Sequence, residues 1–93
     1  MRRRFVVRGM VQGVFFRARA AEEARRLRVT GRIWNRADGG VECVADGEVR
    51  AVEAFGEWLH HGPPHARVER VEVSDLEGPA RYPDFRIAPE NAR

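Results

Sequence analysis

The chain has 93 residues, which suits one compact domain. At 43% hydrophobic and 33% charged residues it falls outside the disordered and membrane-spanning classes, and no uncharged apolar run could cross a bilayer. All 17 basic residues are arginine, which excludes a Schiff-base lysine and the lysine of a nucleotide-binding phosphate loop, while a net charge of +3 favours anionic partners only weakly.

Met1-Arg2-Arg3-Arg4 is basic, but Arg8 interrupts the apolar stretch that a signal peptide would need, so a cytoplasmic protein with no membrane association is expected. From Arg3 to Gly9 the sequence alternates, with Phe5 and Val7 on one face and Arg4, Val6 and Arg8 on the other. That pattern predicts a half-buried strand. Gly9-Met10-Val11-Gln12-Gly13 breaks it, and from about Phe15 the period becomes helical through Phe16, Ala20, Ala24 and Leu27. Arg25, Arg26 and Arg28 close this helix with charge that complements its dipole.

Val29 to Arg36 alternates again, with Val29, Gly31, Ile33 and Asn35 on one side, and Asp38-Gly39-Gly40 signals a hairpin. Val41, Cys43 and Ala45 form the inward side of the next strand. Cys43, the lone cysteine, cannot make an internal disulfide, in keeping with a reducing compartment. Glu48 to His60 is a second helix, with Val52, Phe55 and Leu59 at helical spacing, and Gly62-Pro63-Pro64 stops it. Ala66 to Leu76 reads as a strand in which Val68 is out of phase with Val71 and Val73, the mark of a bulge. Phe85-Arg86-Ile87 reads as a last short strand. The order βαββαβ, with no repeat or linker, predicts one α+β domain over 1–93: an antiparallel sheet with both helices on one face.

The loop from Gly9 to Arg17 joins the first strand to the first helix. A glycine-containing turn at a helix start gathers backbone N–H groups into one concavity, and the dipole adds positive charge, which suits a phosphate. Arg17 lies in the first helical turn, where dipole logic prefers an acid, and local conflicts of this kind mark functional sites. A surface arginine near a helix end is the common alternative, and Arg17 taken alone favours it. Asn35 ends a strand of core parity, and its bland reading is a turn-entry asparagine. The first two strands are joined through a helix and so should run parallel, with their C-terminal ends at one sheet edge. With the third strand between them, Asn35 is expected roughly 10 Å from the loop, at about 4.8 Å per strand, leaving room for a phosphate and a water.

Val11-Gln12-Gly13-Val14-Phe15-Phe16-Arg17 resembles the signature of the acylphosphatases, and Gly31-Arg32-Ile33-Trp34-Asn35-Arg36-Ala37-Asp38-Gly39-Gly40-Val41-Glu42 resembles that family's second motif. The resemblance runs over essentially the whole chain. It implies a ferredoxin-like fold and hydrolysis of a small-molecule acyl phosphate to carboxylate and inorganic phosphate, with no metal and no cofactor. It further implies that Arg17 binds the phosphoryl group, that Asn35 orients the attacking water, and that the amides of Val11, Gln12, Gly13, Val14, Phe15 and Phe16 hold the phosphoryl oxygens. One departure is Arg32 where the family often has tryptophan, with Trp34 following; both have outward parity, so altered surface packing is expected rather than lost catalysis.

Other candidates carry less. Cys43 lacks the arginine at the spacing a cysteine phosphatase loop needs, and its parity makes it a core thiol. His60, His61 and His65 straddle Gly62-Pro63-Pro64 without a second ligand set. Glu22 and Glu23 lie at pairing distance from Arg19 and Arg26, and read as a solvated face. A competing class is a non-catalytic RNA-binding module, but Arg4, Val6, Arg8, Glu42 and Val44 offer no stacking platform on the outward face, so no nucleic-acid partner is expected. A relative that binds acyl phosphates or other anions without turnover is a third reading. A monomer is expected.

Overall fold

The alternation in the first segment is realised as β1 (Arg2–Met10), with Phe5 and Val7 in the core. This computed structural model describes residues 1–89; the last four positions of the expected 1–93 domain lie outside the described residues. The remaining elements are α1 (Phe16–Arg26), β2 (Thr30–Asn35), β3 (Val41–Asp46), α2 (Val49–His61), β4 (Arg67–Asp75) and β5 (Phe85–Ile87).

They form one sheet in the order β4-β1-β3-β2-β5. β3 lies between β1 and β2 and is antiparallel to both, so β1 and β2 run parallel, as the helical connection requires. β4 is antiparallel to β1. The antiparallel sheet expected from the element order is present in β4, β1, β3 and β2, and β5 adds a parallel pairing at the β2 edge, so the five-stranded sheet is mixed. The cause is the segment between β4 and β5, which carries the chain across the sheet and brings it in beside β2 in the same direction.

Both helices pack on one face. Phe16, Ala20, Ala21 and Ala24 of α1 and Val52, Phe55 and Leu59 of α2 meet the inward side chains of the strands. Phe55 ties the layers together, edge-on to Phe5 at 6.2 Å and to Phe85 at 5.4 Å between ring centroids. Each fully buried phenylalanine contributes about 1.5–3 kcal/mol, so Phe85 anchors a strand of only 3 residues. Cys43 is buried in this layer, and burial pushes its thiol well above the ordinary range, which makes it inert.

The bulge read from Val68 is present. Arg8 pairs with Arg70 and Gly9 with Val68, leaving Glu69 unmatched, so that Val68 and Val71 both reach the core. Gly9 allows the close crossing: at φ 134°, a Cβ there would sit 2.1 Å from the Arg67 carbonyl oxygen. At the other end of α1 the Arg28 amide donates to Arg25 and that of Val29 to Ala24, a Schellman closure with Arg28 at φ 62° in the glycine position.

The outward face is not a bare surface. Trp34 is 2% exposed, and Val6, Val44, Glu42 and Asp46 on the same face of the sheet are also buried. Arg4 and Arg36 both pair with Glu42, and Arg2 pairs with Asp46. The segment after β4 crosses this face: Arg2 donates to the Glu77 carbonyl, and the Arg32 guanidinium lies 4.5 Å over the Tyr82 ring while also pairing with Asp84. The surface packing expected at Arg32 and Trp34 is therefore interior packing for Trp34. Parity tells which face a side chain takes, and long arginine stems together with a crossing loop decide whether that face is covered.

Candidate active site

β1 ends at Met10, and the chain turns through Val11 to Phe15 before α1 begins. Two residues of this loop have positive φ: Gly13 at 77° and Phe15 at 62°. Phe15 occupies the N-cap position, yet no side chain caps the helix and its first turn contains no acid. The Arg19 amide donates to the Phe15 carbonyl at 3.0 Å, so the N–H groups of Phe16, Arg17 and Ala18 ahead of it lack helical acceptors. The result is an uncapped, electropositive helix start facing solvent.

A concavity of about 240 Å³ opens at this place, lined by Val11, Gly13, Phe15, Phe16, Arg17, Ala18, Asn35 and Ile87. Topology accounts for the grouping. Parallel β1 and β2 bring the loop and Asn35 to one edge, and β5 alongside β2 adds Ile87. Of the residues singled out in the sequence, Val11, Gly13, Phe15, Phe16, Arg17 and Asn35 converge here, while Gln12 and Val14 are not in the lining. Val14 packs against the core. Gln12 turns away and donates its side-chain amide to the carbonyls of Arg36 and Gly40, each at 2.9 Å.

Polar satisfaction in the concavity is incomplete. Asn35 Oδ1 is buried and has no hydrogen-bond partner among the described residues. Nor does Arg17 make a hydrogen bond or ion pair with any of them. Nearby arginines differ: Arg8 and Arg36 are committed to Asp38, and Arg32 to Asp84. An unmet buried acceptor costs about 1–3 kcal/mol, and such a group beside a free guanidinium and free amides fits a site for an anion and a water.

The turn after Asn35 is held tightly. The Arg36 amide donates to the Gly40 carbonyl at 2.8 Å, and the Gly40 amide to Asp38 Oδ1 at 3.1 Å. Asp38 receives Arg36 and Arg8 as well, and these contacts hold its carboxyl well below the usual carboxylate range. Among the described residues, no group of three or more His, Cys, Asp or Glu side chains is placed to hold a metal ion. No helix among them is long and apolar enough to cross a membrane.

The acylphosphatase family model matches residues 3–87. The chain belongs to the acylphosphatase family. It is 54% identical over 69 residues to an acylphosphatase of Acidovorax sp., covering 74% of this chain and 71% of that one. It is 39% identical over 87 residues to an acylphosphatase of Mannheimia succiniciproducens, covering 94% of this chain and 97% of the relative. The crystal structure of acylphosphatase from Bacillus subtilis matches with a TM-score of 0.90 at 33% identity, over 94% of this chain and 97% of that one. The fold is the ferredoxin-like α+β arrangement of this family, and family and fold together support an enzyme of acyl phosphate hydrolysis.

The motifs marked the loop, Arg17 and Asn35 but missed Ile87. The signal was present in Phe85-Arg86-Ile87 as a strand, but its partner was not, and only pairing with β2 places Ile87 at the Asn35 edge.

Proposed function

We propose that the chain hydrolyses the carboxyl–phosphate bond of acyl phosphates by direct attack of water on phosphorus. Arg17 and the loop amides hold the phosphoryl oxygens, and Asn35 aims the water. The observation that carries this reading is the buried, unpartnered Asn35 Oδ1 in the same concavity as the unpaired Arg17.

The chemistry needs little more. Water's oxygen forms a bond to phosphorus while the phosphorus–oxygen bond to the acyl group breaks and its electron pair leaves on the carboxylate. That leaving group is a weak base, with a pKa of about 4 by analogy with carboxyl side chains, so no general acid is needed. The remaining demands are placement of the water and neutralisation of charge on the phosphoryl oxygens, which are positional and electrostatic tasks. Arginine's planar fork donates two parallel bonds and stays charged. Asn35 Oδ1 accepts a hydrogen bond from the water and so orients its lone pair toward phosphorus. An amide is no base, and the water's proton passes to a phosphoryl oxygen.

The test is hydrolysis of benzoyl phosphate in ¹⁸O-enriched water with a chelator present. Turnover should continue under chelation, with the label in inorganic phosphate and none in benzoate. Absence of turnover by folded protein, or label in benzoate, overturns the reading.

A further inference from the structure

Phe15 is hard to explain by folding. Its side chain is 80% exposed, so it buries almost nothing in the monomer. Its backbone sits at φ 62°, ψ 22°, a left-handed conformation that bulky side chains disfavour and that glycine or asparagine would adopt at lower cost. An exposed aromatic held in a strained backbone loses on both counts, and strain of this kind persists where function uses it. Ile87 is the second anomaly. It is 45% exposed at the end of β5, and it lines the same concavity as Phe15, Arg17 and Asn35. Two exposed apolar side chains, one from the α1 start and one from the far edge strand, thus border a hollow whose polar groups are the guanidinium, the helix amides and Asn35.

We propose that Phe15 and Ile87 form an apolar clamp for the acyl group, which makes the chain selective for acyl phosphates with an aromatic or branched aliphatic group next to the carboxyl carbon. The inference rests on the hydrolytic reading above and adds the substrate class to it. With the phosphoryl group at the helix start and Arg17, the acyl group projects outward past the rim. A ring lying there covers the Phe15 and Ile87 side chains and removes apolar surface from water, whereas an acetyl group is too short to cover either well. A highly charged acyl group gains nothing from this rim and leaves it wet.

The test compares kcat/KM for benzoyl phosphate and acetyl phosphate in the parent chain, Ile87→Ala and Phe15→Asn, the asparagine being chosen because it tolerates the left-handed backbone. Affinities for benzoylphosphonate and acetylphosphonate, in which a direct carbon–phosphorus bond replaces the scissile anhydride oxygen, are measured by calorimetry alongside. Each substitution should lower the benzoyl-to-acetyl ratio about five- to tenfold, in turnover and in binding alike, while in Ile87→Ala, which leaves the loop untouched, the inhibition constant of inorganic phosphate stays within about twofold. A ratio unmoved in both folded variants overturns the clamp. So does a phosphate constant in Ile87→Ala that shifts in step with the ratio, because that substitution would then act through the loop. A parent chain that binds benzoylphosphonate more tightly than acetylphosphonate but turns over neither acyl phosphate retains the clamp and sinks the hydrolytic reading instead.

Discussion

The Gln12 side-chain nitrogen lies 2.9 Å from the Arg36 carbonyl oxygen, one residue beyond Asn35, and the same nitrogen reaches the Gly40 carbonyl across the hairpin. One amide group thereby fixes the spacing between the loop and the strand end that carries Asn35. The family resemblance implies a backbone role for Gln12 toward phosphate, and its side chain adds these two hydrogen bonds between the loop and the hairpin.

Gln12→Ala should therefore loosen the site as well as the fold. Two neutral hydrogen bonds of about 0.5–1.5 kcal/mol each are removed, so thermal unfolding should come several degrees earlier. Turnover of benzoyl phosphate should fall about tenfold through kcat, because misplacement of water and phosphorus by a fraction of an ångström is costly. Lost stability with unchanged kcat would limit Gln12 to a structural part.

Arg28 holds the position that a Schellman closure ordinarily gives to glycine, at φ 62°. Arg28→Gly should remove that strain and stabilise the domain by about 0.5–1 kcal/mol, raising the melting temperature by a few degrees. Calorimetry decides it: a lower melting temperature would mean that the arginine's own contacts outweigh its backbone strain.

Acid should weaken the fold through its surface carboxylates. Asp38 is held low by Arg36 and Arg8, Glu72 by Arg70 and Arg8, Asp84 by Arg86 and Arg32, and Glu23 by Arg26. Unfolded, such groups titrate at about 3.9 for aspartate and 4.3 for glutamate. Because the folded values are lower, the unfolded chain binds more protons across this interval, and stability is present above it and lost as pH falls through it. The urea midpoint should hold near neutrality and drop below about pH 5, less steeply in Asp38→Asn and in high salt. Equal midpoints at pH 7 and pH 3 would contradict these assignments.

Much of this was legible in the sequence because local and global signals agreed. Alternation assigned Phe5, Val7, Ile33 and Cys43 to the core, and the phase slip at Val68 located the bulge. The motifs marked Arg17 and Asn35, and topology accounts for their meeting at one edge. What escaped depended on long-range partners. Phe85 to Ile87 is too short for its periodicity to reveal that it pairs with β2 in parallel. Trp34 reads as outward, and nothing local to it says that arginine stems and a crossing loop cover that face. Arg28 in the left-handed region carries no sequence signal, since arginine is an unusual choice there.

The division of labour between Arg17 and Asn35 is tested most directly by Asn35→Ala, assayed for benzoyl phosphate kcat with the inhibition constant of inorganic phosphate measured on the same preparation. If Asn35 aims the water while Arg17 and the loop amides bind, kcat should fall by about 10²-fold or more and the phosphate constant should stay within about twofold. A phosphate constant that rises in proportion to the lost rate, or a kcat that survives the substitution, would contradict the account.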